Sequence, residues 1–366
     1  MTEPVGLYLH IPFCRSKCPY CDFYSVVPKG DILDAYTAAL CRRIDEWNGQ
    51  TFDTVYFGGG TPSLLGAERI ADVLKQIRFS PDAEITVECN PSDAGIPGGF
   101  DFARAADAGV NRISLGLQSA LDEERKMLGR RAGVKEAEYA VKAAYAAGIT
   151  NISLDLMLGV SGQTAASLDR SLDFCIHSGA RHISTYMLKI EPGTFYDKSR
   201  SRLNLPDEDT VCDFYLQTVD KMNRSGFPQY EISNFALPGY ESRHNLKYWH
   251  CRKYLGLGPA AHSFMNGKRF YFERDLDSFL SGSSPTPDGD GGDFEEYAML
   301  ALRLTEGLRF DFTLSRFGTP VPESVIAKAK KVTPMGLTTV TDQSISLTPK
   351  GFLLSNTVIA ELLEDI

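Results

Sequence analysis

Cys14, Cys18 and Cys21 form a CxxxCxxC run within Leu9-His-Ile-Pro-Phe-Cys-Arg-Ser-Lys-Cys-Pro-Tyr-Cys-Asp-Phe. Three thiolates on one short loop can hold three irons of a four-iron, four-sulfur cluster, leaving the fourth iron open to a small chelating ligand. Structural zinc wants four ligands and usually CxxC pairs, so the spacing points to iron–sulfur ahead of zinc. Downstream, Tyr56-Phe-Gly-Gly-Gly-Thr-Pro-Ser offers glycines where a backbone can approach a ligand closely, with amides able to bind a carboxylate. Glu88, Gln118 and Asp155 then interrupt or end apolar runs, and a charge in such a place costs stability unless it is paired or liganded. A salt bridge or a barrel-end cap accounts equally well for each of them, and Arg130 reads more simply as an exposed helix-end arginine. A last run, His244-Asn-Leu-Lys-Tyr-Trp249, joins an imidazole able to ligate iron to two flat aromatic surfaces. On spacing alone, the plainer reading has His244 and Asn245 bonded within a loop and Tyr248 and Trp249 packed in a core.

These residues need a scaffold, and the pattern supplies one. Apolar strand-like stretches at 7–11, 54–57, 84–89, 112–117, 152–158 and 182–188 alternate with helical periodicity at 32–47, 67–77, 100–108, 134–147 and 166–177. Six βα-like units in a row predict an α/β protein with a parallel sheet, curled as a partial barrel or left open. Functional groups are then expected at the carboxyl ends of the strands, where the cysteine loop and the Gly-Gly-Gly-Thr turn fall. We divide the chain into a core at 1–190, an extension at 191–280 carrying His244–Trp249, an exposed connection at 281–293, and a small, mostly helical domain with a β-hairpin at 294–366. Cys41, Cys89, Cys175 and Cys212 sit in helix or strand patterns and read as small buried residues. His10 reads as packed or bonded to backbone, while Cys251, His250 and His262 are undecided.

The 366 residues carry a net charge of −9, which argues against a nucleic-acid substrate. No run of about 18 apolar residues occurs, so no membrane-spanning helix is expected. The first residues lack the basic and apolar regions of a signal peptide, so a cytoplasmic protein with reduced thiols is expected.

Taken together, CxxxCxxC after a strand, GGGTPS after the second strand, and the Glu/Gln/Arg/Asp series resemble the radical S-adenosylmethionine superfamily. The resemblance covers essentially the whole chain, including Leu302-Arg-Leu-Thr-Glu-Gly-Leu and the Lys-Gly-Phe-Leu-Leu-Ser-Asn ending, and points to the branch of oxygen-independent coproporphyrinogen III oxidase. It implies a partial parallel (β/α)6 barrel and a [4Fe-4S] cluster whose open iron is chelated by S-adenosyl-L-methionine. Electron transfer from the cluster then cleaves that cosubstrate. By motif it places Tyr8, Gly59, Gly60, Thr61, Glu88, Gln118, Arg130 and Asp155 around the cosubstrate. Three features separate the chain from the oxidase: Phe23 where the oxidase has a fourth cysteine, a short segment ahead of the first strand, and the HNxxYW run. That run resembles the HemW branch of haem chaperones. It implies haem as cargo near His244, Asn245, Tyr248 and Trp249, and delivery to apo-haemoproteins, those of the respiratory chain among them, with peripheral contact at a membrane during delivery. A radical enzyme acting on a porphyrin-like substrate is the alternative that the resemblance leaves open. Ser161 stands where relatives commonly have proline, which is expected to loosen a turn. Ala132 replaces a histidine often found beside Arg130, which removes a polar contact there.

Overall fold

The computed structural model describes residues 4–364. Eleven strands form one sheet: β1 Val5–Ile11, β2 Phe52–Gly59, β3 Phe79–Cys89, β4 Arg112–Gln118, β5 Asn151–Leu158, β6 His182–Met187, β7 Asn234–Ala236, β8 Tyr254–Leu257, β9 His262–Met265, β10 Lys268–Tyr271 and β11 Thr286–Asp290. Their order is β11-β10-β9-β8-β1-β2-β3-β4-β5-β6-β7. β1 to β6 run parallel, and β8 joins them parallel to β1. β7 and the β9–β11 meander are antiparallel additions at the two ends. The parallel (β/α)6 core is therefore present, in a larger mixed sheet.

Period-two alternation explains why this sheet builds a site. One face carries Leu7, Leu9, Val55, Phe57, Ile85, Val87, Ile113, Leu115 and Leu154, all fully buried in the main core beneath the helices. The other carries Tyr8, Tyr56, Glu88, Arg112, Ser114, Asp155 and Ser184, whose bonds and fields converge on one another across the strands. Such convergence requires a sheet curled around a polar lumen.

Helices Ile32–Asp45, Ala67–Leu74, Phe102–Asp107, Val134–Ala146 and Ala165–His177 cover the outside, each shorter than or close to its expected range. The segment expected as an exposed connection at 281–293 contains β11, the outermost strand. Its residues are largely solvent-exposed because an edge strand needs no apolar face, and this hid it from a hydropathy reading. The longest helix, Glu208–Arg224, carries the chain from β6 towards β7. The C-terminal unit packs helices Phe294–Ala301, Phe310–Phe317, Glu323–Val332 and Ser355–Leu363 with a three-stranded sheet of β12 Leu308–Arg309, β13 Thr338–Val340 and β14 Ser344–Leu347. Among the described residues no helix is long and apolar enough to cross a membrane.

Candidate functional site

The cysteine loop leaves the carboxyl end of β1 and is tied down on several sides. Cys14 N donates to Val26 O at 3.0 Å, and Cys21 N donates to Cys18 O at 3.1 Å. His10 Nε2 donates to Tyr24 O at 3.0 Å and Nδ1 accepts from the Tyr8 hydroxyl at 3.0 Å, so this buried imidazole braces the loop from below. Burial pushes the His10 imidazole down to about 4, which keeps it neutral. The three thiols are partly exposed and unpaired. Burial first, then the nearby Cys18 and Cys14, push the Cys21 thiol up. Among the described residues, no three His, Cys, Asp or Glu side chains converge as a single-ion site requires. Three thiols on one short loop are a donor set that fits three irons of a four-iron cluster.

The Gly-Gly-Gly-Thr turn lies against this loop. Thr61 N donates to Phe13 O at 2.7 Å, Gly60 N to Ile11 O at 2.9 Å, and Thr61 Oγ1 stands 3.6 Å from Cys14 Sγ. Gly59 has φ +108°, and a Cβ there would lie 2.6 Å from the His10 ring. Only glycine permits this approach.

Glu88, near the end of β3, accepts from Tyr56 OH at 2.8 Å and from Gly59 N at 3.2 Å. Burial pushes its carboxyl up to about 7, opposed by the Tyr56 bond and reinforced by the Asp155 charge. Asp155, on β5, accepts from Ser114 Oγ at 3.2 Å, and burial raises it too. Arg112, fully buried at the start of β4, supplies the positive field that both carboxylates feel, and its Nε has no hydrogen-bond partner among the described residues. Gln118 closes β4 with φ +70°, a strained setting for a residue other than glycine. Arg130 donates from Nη2 to Tyr20 OH at 3.1 Å, and its buried Nε is orphaned. The fields of Cys18 and Cys21 reach it. The amides of Gly59, Gly60 and Thr61 are already bonded to Glu88, Ile11 O and Phe13 O, so they are not the carboxylate donors the sequence suggested; the orphaned guanidinium nitrogen of Arg130 beside the loop is the group that fits a carboxylate-bearing cosubstrate.

Tyr8 lies deeper, its ring 6.2 Å from Tyr56 and 6.4 Å from His244, with its hydroxyl committed to His10. The HNxxYW run is not beside the cluster loop. It forms helix Arg243–Trp249, which closes the opposite, amino end of the lumen. The Glu84 carboxylate accepts from Arg243 N at 3.1 Å and His244 N at 3.0 Å, and Lys247 Nζ pairs with Asp53 at 2.8 Å. His244 is 1% exposed. Both its ring nitrogens are engaged, Nδ1 with Thr54 Oγ1 at 2.8 Å and Nε2 with Tyr248 OH at 2.8 Å. Burial pushes the imidazole down to about 3. Asn245 lies in the first turn, where its backbone N–H donates to the Ser242 cap at 3.4 Å, and Trp249 ends the helix half-buried. Sequence reasoning missed Tyr56, Arg112, Ser114 and Tyr20. The first three share the lumen parity of Glu88 and Asp155, a signal available from the period-two pattern.

Residues 8–175 match the Radical SAM superfamily and residues 293–354 the HemN C-terminal domain. The chain is 36% identical to the heme chaperone HemW of Synechocystis, over 98% of this chain and 96% of that one. It is 40% identical to the Escherichia coli heme chaperone HemW over 71% of this chain and 70% of that one. Among solved structures, coproporphyrinogen III oxidase (HemN) from Escherichia coli, a radical SAM enzyme, superposes with a TM-score of 0.81 at 21% identity, covering all of this chain and 91% of its own.

Proposed function

Because the chain belongs to the HemW family within the radical SAM superfamily, we propose that it is a haem chaperone that carries a [4Fe-4S] cluster, binds S-adenosyl-L-methionine and delivers haem to apo-haemoproteins. The observation that supports this most is relatedness at 36% over nearly the full chain, joined to the three-thiol loop facing a glycine and carboxylate cradle. Cys14, Cys18 and Cys21 hold the cluster, and the cluster supplies an open iron and an electron when assembled. Arg130 receives the carboxylate of the cosubstrate, the Gly59–Thr61 backbone packs against its methionine end with its own amides already bonded to Glu88, Ile11 and Phe13, and Glu88, Gln118 and Asp155 accept from or donate to its hydroxyls and amine. Tyr8 holds His10 in the tautomer that braces the cysteine loop.

For His244 to reach iron, helix Arg243–Trp249 has to leave the floor of the lumen, since both ring nitrogens are occupied in the closed form. Haem contact by His244, Asn245, Tyr248 and Trp249 therefore belongs to an opened form. Phe23, 69% exposed where the oxidase has its fourth cysteine, supports a chaperone over a decarboxylating enzyme. The test is transfer. Anaerobically reconstituted protein loaded with haem is mixed with an apo-haemoprotein, and activity of the recipient is followed beside assays for 5′-deoxyadenosine and for coproporphyrinogen III conversion. Recipient activation without porphyrinogen conversion is expected. Efficient conversion without transfer would make the protein an oxidase.

A further inference from the structure

The lumen side of β4 carries Arg112, Ser114, Gly116 and Gln118 in order from its amino to its carboxyl end. Ser114 stands level with Glu88 on β3, and its hydroxyl donates to Asp155 at 3.2 Å. At Gly116 the strand passes Arg130, and a Cβ there would lie 3.3 Å from Arg130 Nη2. Two residues of strand set Arg112 about 7 Å from Ser114 in the other direction, towards the closed amino end of the lumen. Asp155 therefore feels two guanidinium groups at different heights. Arg112 is 2% exposed and so offers almost no surface to a ligand. Among the described residues its Nε has no hydrogen-bond partner, and neither have Thr86 Oγ1 and Asn151 Oδ1, which flank it in the same register row. Burial opposes its charge, but the fields of Glu84, Tyr56, Tyr230 and Asp155 outweigh it and keep the guanidinium ionised.

We propose that Arg112 is a positioning residue for the cosubstrate, acting through Asp155 and Glu88 as the fixed cation that holds their charge, a proposal that rests on the cosubstrate reading above. Once Arg130 takes the ligand's carboxylate, its charge is shared with that group. Arg112 is then the guanidinium left to Asp155. Burial alone drives Asp155 and Glu88 towards their neutral forms, and a neutral carboxyl holds a cationic amine or sulfonium poorly. Arg112 opposes that drift from the end of the lumen away from the cysteine loop, where its repulsion of the ligand's own positive charge is weakest. The other groups facing these charges do not titrate with them. Burial keeps Tyr8, Tyr56, Tyr186 and Tyr248 and the thiols of Cys89 and Cys175 protonated, and it keeps His182 and His244 neutral. A purely structural Arg112 would answer to Glu84 instead. That carboxylate anchors the floor through Arg243 N and His244 N, and a counter-ion for it alone would steady the helix and leave the cosubstrate untouched.

The test follows S-adenosylmethionine binding from about pH 6 to about pH 9 by anaerobic calorimetry, a window that brackets the titration of the buried carboxyls. Reconstituted wild type, Arg112→Gln, Arg112→Lys and Glu84→Gln are compared, each checked for iron and sulfide content and far-UV circular dichroism. Arg112→Gln should move the midpoint of the pH dependence up by about one unit and weaken binding at neutral pH about tenfold, with the loss recovered at the alkaline end. Arg112→Lys keeps the charge and should keep the wild-type midpoint. Glu84→Gln retains an acceptor for the floor but removes a charge that competes for Arg112, so its midpoint should move down. This variant carries the test should Arg112→Gln not fold. An equal loss at every pH in Arg112→Gln, a shift in Arg112→Lys as large as in Arg112→Gln, or an unmoved midpoint in Glu84→Gln overturns the positioning role and spares the cosubstrate reading. Wild type that binds no S-adenosylmethionine overturns the reading and the role with it.

Discussion

Glu88 is the residue whose ionisation most directly reports on the lumen. Its carboxyl lies at about 7 against an ordinary 4.5, a difference equivalent to about 3 kcal/mol between its two protonation states. A carboxyl raised in the fold favours the neutral form, so its contribution to stability is fully present below about 4.5 and is lost as pH rises through about 7. Binding a cationic or hydroxyl-donating cosubstrate favours the ionised form instead. S-adenosylmethionine affinity, measured by anaerobic calorimetry, should therefore increase from pH 6 to pH 8 by up to tenfold, and Glu88→Gln should bind more weakly and flatten that dependence. A parallel rise in the variant would remove Glu88 from the site. At the cysteines, replacing Cys14, Cys18 or Cys21 by Ala should abolish normal cluster assembly, read as iron and sulfide per chain, with the far-UV spectrum retained. Ser161 behaves differently from its expectation. It accepts from Asn204 N at 3.0 Å, and Gly162 N donates to Asn204 O at 2.8 Å, so the serine ties the turn that a missing proline was expected to loosen.

At the scale of elements, the helix Arg243–Trp249 is held from both sides. Glu84 and Asp53 grip it from the sheet, while Arg316 of the C-terminal unit donates to His250 O at 3.1 Å and Cys251 O at 2.9 Å. Arg316→Ala should leave the cluster intact and accelerate amide exchange across residues 243–252 by at least tenfold, measured by mass spectrometry. Unchanged exchange would mean that the sheet alone holds the floor. The parallel strands and the residues at their carboxyl ends were legible in the sequence, because apolar periodicity and glycine placement are local properties. The floor was not. Its anchors pair residues 160 and 190 positions apart, Glu84 with His244 and Thr54 with His244, and no local pattern encodes such a pairing. Arg112 had its lumen parity on view in the period-two pattern, but the partners of its charge, Glu84 and Asp155, come near it only once the sheet curls.

At the scale of the molecule, the barrel and the C-terminal unit share a backbone seam. Ile232 N donates to Arg303 O at 2.9 Å and Thr305 N to Tyr230 O at 3.1 Å, flanking Glu231. Glu231 is fully buried, its Oε1 has no hydrogen-bond partner among the described residues, and burial pushes its carboxyl up to about 7. Stability from its neutral form is thus present at low pH and lost as pH rises through about 7. Glu231→Gln should raise the melting temperature at pH 8 by a few degrees and change it little at pH 5, by scanning calorimetry. A larger gain at pH 5 would reverse the sign of this argument.

The exposed outer strand β11 bears on how the chain behaves among its own copies. Its unpaired backbone groups face water at the end of an eleven-stranded sheet, the geometry from which one molecule recruits a strand of the next. Here the strand reads Thr-Pro-Asp-Gly-Asp: the proline withholds a donor, the glycine resists extension, and the aspartates repel an identical neighbour. The acidity and the proline of this short stretch disfavour edge-to-edge pairing between copies of the chain, a consequence separate from any chemistry in the lumen.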